Sequence, residues 1–152
     1  MPSPFESASL NLQLFALRRE PVLREARHWF LRDFNPETLD ELVALVSGER
    51  NASFRMVAGY WDMAASLVTT GAIDADTFLA AHGEVFTAFS KIHPFLADLR
   101  QISGEPDFCT HVEAVVIAAP NAEVILARRR DAARAAAKQR PSGQDDSRTA
   151  SR

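Results

Sequence analysis

The spacing of apolar residues predicts α-helices along most of the chain. Apolar positions recur every three or four residues in three successive segments near the start, residues 9–18, 21–34 and 35–47. Pro21 opens the second segment at a first-turn position, where its missing N–H costs nothing. Gly48 ends the third segment. Three helices are therefore expected before the middle of the chain.

A fourth helix, over residues 51–70, is predicted to lie at the centre of the fold. Two apolar stripes run along it and leave only one narrow strip of polar or small residues. A helix that is apolar around most of its circumference is surrounded by other helices. We therefore expect Trp61 to be buried, and the charge of its neighbour Asp62 to need a partner.

The second half of the chain predicts three more helical segments. A long helix over residues 75–103 contains Pro94, which removes one backbone hydrogen bond and predicts a kink or break near Ile92–His93. In the next segment, residues 107–119, the central apolar run is compatible with a strand as well as a helix. A helix is favoured because no other segment predicts a partner strand. A last helix covers residues 122–140.

These segments predict an all-α fold. Residues 1–140 are expected to form a single domain, a compact bundle of six to seven helices. Residues 141–152 are polar and poor in apolar residues, so a disordered C-terminal tail is expected there.

Charge is unevenly distributed along the chain. Residues 1–120 carry 9 Lys and Arg against 16 Asp and Glu, a net charge of −7, whereas residues 121–152 carry 8 against 4, a net charge of +4. The acidic body disfavours nucleic acid as a partner, because phosphate contacts require clustered cations. The basic last helix offers candidate contacts to an anion or nucleic acid, with solvated helix surface as the favoured alternative; these residues are Arg128, Arg129, Arg130, Arg134 and Lys138.

Three features favour the cytoplasm as the location. The single cysteine, Cys109, cannot form an internal disulfide. The first twenty residues lack the basic start of a signal peptide. No stretch approaches the roughly 18 uninterrupted apolar residues that a membrane span needs. We therefore expect no membrane span.

Three short motifs carry a resemblance to a known family. The sequences "VTTGAIDADTF", "KIHPFLADLR" and "FCTHVEAV" follow one another in this order. Together with the pattern of helices from Leu10 to Ala119, they resemble a small bacterial family known only as domain of unknown function 4760. The resemblance implies a helical fold and a bacterial origin. It implies no activity and no catalytic residues.

Few residues form a pattern that is typical of catalysis. Glu25 and His28 make a single Glu-x-x-His pair, whereas a di-iron bundle needs two such pairs and two further carboxylates. The four histidines are not spaced for the tetrahedral geometry of zinc. No metal or cofactor is therefore predicted. Asp62 is expected to pair with Arg100 across the fourth and fifth helices.

Two functions are compatible with this sequence. The leading hypothesis is a non-enzymatic interaction or regulatory module with an unidentified protein partner, which includes a homodimer as one option. The alternative is an enzyme or small-ligand protein with a polar cavity near Asp62, His82 and Arg100. An exposed apolar patch would favour the first hypothesis, and an open pocket lined by those three groups would favour the second.

Overall fold

A computed structural model describes residues 1–141, and they are helical with no strand among them. The predicted disordered tail lies outside the described residues from position 142 onward. The elements are α1 (Pro4–Leu17), α2 (Pro21–Arg32), α3 (Leu39–Ser47), α4 (Asn51–Thr69), α5 (Ala75–Ala81), α6 (Glu84–Ile92), a 3-10 turn (His93–Phe95), α7 (Leu96–Ser103), α8 (Thr110–Ile117) and α9 (Ala122–Lys138). The all-α prediction is confirmed.

Local side-chain caps determine where several helices begin. The Ser3 hydroxyl accepts a hydrogen bond from the backbone N–H of Glu6, and the Glu6 carboxylate accepts one from the N–H of Ser3. This capping box satisfies two backbone donors at once, so α1 begins at Pro4 and not at residue 9 as predicted. The Asp74 carboxylate caps α5 by accepting a hydrogen bond from the backbone N–H of Thr77.

The predicted fifth helix is divided into three. The break near Ile92–His93 is confirmed, since the 3-10 turn that contains Pro94 separates α6 from α7. A second break, which the sequence did not predict, falls at His82 and Gly83, between α5 and α6. This break redirects the chain so that the His82 side chain is buried against α1. The domain therefore has more helices than the six to seven predicted.

The core surrounds α4, which packs against α2, α3, α6 and α8. Trp61 is 2% exposed, as predicted. The core beside it contains a void of only about 10 Å³. An aromatic cluster joins α2 to α4, with ring centroids between 4.7 and 6.3 Å apart; its members are Trp29, Phe30, Phe34 and Phe54.

One side of α4 is more open than predicted. Met56 and Met63, which lie on one of the two apolar stripes of this helix, are 38% and 41% exposed. Arg55 and Gly59 on the same side are exposed too. The neighbouring helices cover α4 from the opposite side, so the expectation of a helix enclosed around most of its circumference was wrong.

A buried lysine closes the carbonyl end of α2. The Lys91 ammonium donates hydrogen bonds to the carbonyl oxygens of Phe30 and Leu31, at 2.8 and 2.7 Å. Burial lowers the pKa of Lys91 to about 7. The ammonium supplies donors to helix-end carbonyls that would otherwise be unpaired.

Within residues 1–141, no single helix has the length and apolar composition of a membrane span, and α8 with α9 meets those criteria only as a pair bent by 110°.

Candidate functional site

Three side-chain contacts fix α1 on the rest of the domain. The Tyr60 hydroxyl donates to the carbonyl oxygen of Leu14 at 2.6 Å. Nε2 of His82 lies 3.0 Å from Oδ1 of Asn11, and the Ser7 hydroxyl accepts from the N–H of Asp74. These contacts bury one face of α1, with Ser7, Asn11, Leu14 and Arg18 spaced by four, three and four residues.

A second face of α1 carries apolar side chains that remain exposed. Phe5, Leu12 and Phe15 are 81%, 71% and 43% exposed, and Ala8 lies between them. The spacing of these four residues is three, four and three, which places them in one row along the helix. The buried face fixes the rotation of α1 about its own axis. As a result, Ala8, Leu12 and Phe15 of this row lie beside α5.

Ala8, Leu12 and Phe15 of this row form one wall of a groove between α1 and α5, which we call the α1 groove. Its volume is about 330 Å³, and its lining is almost entirely apolar. The lining residues are Ala8, Asn11, Leu12, Phe15, Thr77, Ala81 and His82.

His82 takes part in the groove as a neutral group. Its side chain is buried between the rings of Phe78 and Trp61. Burial lowers the pKa of His82 to about 4, and the positive charge of Arg18 acts in the same direction. Nδ1 of His82 and Nδ2 of Asn11 have no hydrogen-bond partner among the described residues.

The α1 groove ends at a cationic cleft, which we call the arginine cleft. Its volume is about 370 Å³. Phe15 lines both the groove and the cleft, so the two surfaces are continuous. The other residues that line the cleft are Arg18, Arg19, Arg24, Arg27 and Glu84.

Glu84 holds two of these arginines in place. Nε and Nη2 of Arg27 donate to its two carboxylate oxygens at 2.8 and 2.5 Å. Nη1 of Arg18 donates to the same carboxylate at 3.2 Å. The guanidinium of Arg18 also lies over the ring of Phe15, 4.3 Å from its centroid. Hydrogen bonding to Glu84 raises the pKa of Arg27, so this guanidinium stays protonated.

A separate cleft lies between α3, α4 and α7, and we call it the Ile102 cleft. Its volume is about 420 Å³, similar to that of the arginine cleft. Ile102, which is 59% exposed, and Arg55 both line it. Because the Ile102 cleft does not share lining residues with the α1 groove, it supplies matched control positions.

Asp62 does not pair with Arg100, contrary to the prediction. Oδ1 of Asp62 accepts hydrogen bonds from the backbone N–H groups of His111 and Val112, at 2.9 and 3.0 Å. Asp62 therefore caps the N-terminus of α8 from a neighbouring helix, where a carboxylate is favoured by the helix dipole. Arg100 instead binds the Glu113 carboxylate and the Phe108 carbonyl oxygen.

This capping role predicts a moderate effect on stability. Asp62→Ala is expected to lower the free energy of unfolding by about 1–2 kcal/mol, as loss of other helix caps does. Asp62→Asn keeps an acceptor oxygen and should lose less. Because Asp62 and Arg100 share no bond, the losses in Asp62→Ala and Arg100→Ala should add to within about 0.5 kcal/mol in the double variant. Urea denaturation measures all four variants, and a large coupling would contradict this assignment.

The three residues of the predicted polar cavity lie in two places. His82 lines the α1 groove, and neither Asp62 nor Arg100 contributes to that groove.

Cys109, beside the start of α8, is buried, and burial raises the pKa of its thiol to about 12. It is therefore a neutral thiol at pH 7.

Most of the basic side chains of α9 that were candidate contacts to an anion or nucleic acid instead contact other parts of the domain. Arg129 donates to the Thr87 hydroxyl and Arg130 to the Ser90 carbonyl oxygen. Arg134 donates to the Pro36 carbonyl oxygen, and Lys138 pairs with Glu37. Arg128 is exposed. The cations thus attach α9 to the α2–α3 connection and to α6.

No group of three or more His, Cys, Asp and Glu side chains that could hold a metal ion occurs in residues 1–141. The most organised polar side chains in this part of the chain are the arginines and Glu84 of the arginine cleft.

The sequence contains a signal for this site besides the apolar spacing of its helices. Arg18, Arg19, Arg24 and Arg27 are four of the nine basic residues before position 121, and they fall within ten positions. The apolar row of α1 begins at Phe5, four residues before the predicted start of the first helix. Its helical spacing therefore does not appear within the predicted bounds of that helix.

Comparison with known sequences identifies the family. The profile of a family described as a domain of unknown function (DUF4760) matches residues 4–118, more than half of the chain. The chain therefore belongs to this family, and the resemblance is confirmed. No curated protein sequence and no solved structure matches the chain.

Proposed function

We propose that this member of the DUF4760 family is a non-enzymatic interaction module that binds an amphipathic helix of a partner protein in the α1 groove. The observation that carries the proposal is the row of exposed apolar side chains on α1. Large apolar side chains gathered on one exposed surface are typical of interaction sites.

The shape of the surface favours a helix as the occupant. Ala8, Leu12 and Phe15 of the apolar row form one wall of a groove whose other wall is α5. A groove of this kind receives the apolar face of an amphipathic helix, whose anchors recur every three or four residues.

Charge complementarity specifies one end of the partner helix. The α1 groove leads into the arginine cleft, although the body of the domain is acidic. The proposed partner therefore carries apolar anchors for the groove and an anionic group for the cleft. Opposite charges at the end of an apolar groove fix the orientation of the bound helix.

The proposal is tested with a designed peptide of about 16 residues that has Leu at helical a and d positions and an acidic residue in each terminal turn. We expect saturable binding by fluorescence anisotropy. Leu12→Asp should raise the Kd by at least about ten-fold, because it places a charge in the apolar row. Ile102→Asp, in the Ile102 cleft, is the matched control and should leave the Kd unchanged.

Three results would overturn the proposal. The first is equal binding by wild type and Leu12→Asp, and the second is equal binding of a scrambled peptide. The third is a wild-type dimer, seen by sedimentation, that Leu12→Asp dissociates. That result would assign the groove to a second copy of this chain.

A further inference from the structure

We infer that the arginine cleft binds a phosphoryl group, carried by a phosphorylated residue of the helix that occupies the α1 groove. This inference rests on the proposed docking and names the anionic group of the partner. It predicts that phosphorylation of that partner strengthens the docking.

The charge balance of the cleft favours a dianion. Four guanidinium groups line the cleft, and Glu84 neutralises one positive charge. Glu20 lies on the chain between the two pairs of arginines and caps α2 through the N–H of Leu23. Even when both carboxylates are counted, a net charge of +2 remains. A phosphoryl group carries about −1.5 to −2 at pH 7, whereas a carboxylate carries −1 and would leave the cleft positive.

Part of the cleft is organised before any ligand binds. Arg18 is 7% exposed, and its guanidinium is held between Glu84 and the rings of Phe15 and Trp61. Nε of Arg18 is buried and has no hydrogen-bond partner in the described part of the chain. A fixed guanidinium loses little freedom when it binds an anion, and its planar donors match phosphate oxygens.

The outer side of the cleft is formed by Arg19 and Arg24, which are both exposed. Arg19 follows Arg18 at the end of α1, and Arg24 lies in the first turns of α2. These two side chains can close over an anion without disturbing the core. Exposed arginines that order around a phosphoryl group are a common means of recognising phosphorylated segments.

The position of the phosphorylated residue follows from the shared wall. Phe15 belongs to both the groove and the cleft, and Arg18 and Arg19 lie one helical turn beyond it. One turn advances about 5.4 Å along a helix. The phosphorylated residue should therefore lie about one turn beyond the apolar anchor that contacts Phe15.

The test uses versions of the designed peptide in which one terminal-turn residue is Ser, phosphoserine or Glu. Each end is varied separately, because the cleft lies at one end of the groove and only one terminal turn of the bound helix reaches it. One phosphoserine version should bind at least about ten-fold tighter than its Ser version, and the Glu version should gain less than about three-fold. The double variant Arg19→Gln with Arg24→Gln should remove this gain, so that its affinities for the phosphoserine and Ser versions differ by less than about three-fold. Arg55→Gln is the matched control in the Ile102 cleft.

The outcomes separate this inference from the docking proposal. No gain from phosphoserine, an equal gain from Glu, or an equal loss in Arg55→Gln would overturn the phosphoryl site while docking stands. If none of the peptides binds, the docking proposal fails. Titration with pyrophosphate then tests whether the cleft binds a phosphoryl group by itself. Saturable binding that requires Arg19 and Arg24 would support the site. Binding to phosphatidic acid vesicles without any phosphopeptide gain would assign the cleft to a membrane and overturn the inference.

Discussion

Replacing Trp61 by Ala is expected to destabilise the domain by about 3–5 kcal/mol, the usual cost of removing a large buried aromatic side chain. Trp61 is 2% exposed and lies on the central helix α4. Its ring contacts Tyr60 edge to face, with centroids 5.0 Å apart, and lies beside His82 and Arg18. The void beside it is only about 10 Å³, and a close-packed core collapses only partly into the space that a large side chain leaves.

Two further variants make this result specific. Trp61→Phe keeps much of the ring contact and removes a buried indole N–H that has no partner among the described residues, so it should cost less than Trp61→Ala. Met63→Ala changes an exposed residue on the same helix and should cost less than about 1 kcal/mol. Urea unfolding gives all three values. A loss below about 1 kcal/mol for Trp61→Ala would contradict the central position of α4.

Acid is expected to destabilise the domain through His82. Its pKa is lowered from 6.5 to about 4 in the folded protein, so the unfolded chain binds more protons between these two pH values. The contribution of His82 to the free energy of unfolding is therefore fully present above pH 6.5 and is lost as the pH falls toward 4. The total loss is about 3 kcal/mol, since one pKa unit corresponds to about 1.4 kcal/mol.

The measurement compares the pH dependence of unfolding in two variants. His82→Gln removes the titrating group and keeps a polar side chain opposite Asn11, so its stability should fall less steeply than that of wild type between pH 6.5 and 4. His28→Gln, at an exposed position on α2, should retain the wild-type slope. Equal slopes in wild type and His82→Gln would show that His82 is not buried as a neutral group.

The helical class and the core were predictable from the sequence because apolar spacing determines them. The burial of Trp61 and the break at Pro94 both follow from rules that act within one or two turns. Bacterial origin and cytoplasmic location stay predictions.

The contacts of charged side chains were less predictable because they join segments far apart in the chain. Asp62 caps α8 from 49 residues away, and Glu84 joins Arg18 and Arg27 across 66 and 57 residues. The sequence around a buried charged side chain indicates that the charge needs a partner, but it does not identify the residue that provides it. The α1 groove was missed for a related reason, since the capping box at Ser3 extends α1 beyond the apolar pattern.

The most direct test of the proposed function is to map the designed acidic amphipathic peptide on ¹⁵N-labelled protein. The groove and the cleft predict that the largest amide shifts fall in residues 5–27 and 77–84, with little change around the Ile102 cleft. Leu12→Asp should abolish these shifts while the rest of the spectrum stays that of a folded domain. Shifts centred on the Ile102 cleft, or equal shifts in Leu12→Asp, would contradict a docking function for the α1 groove.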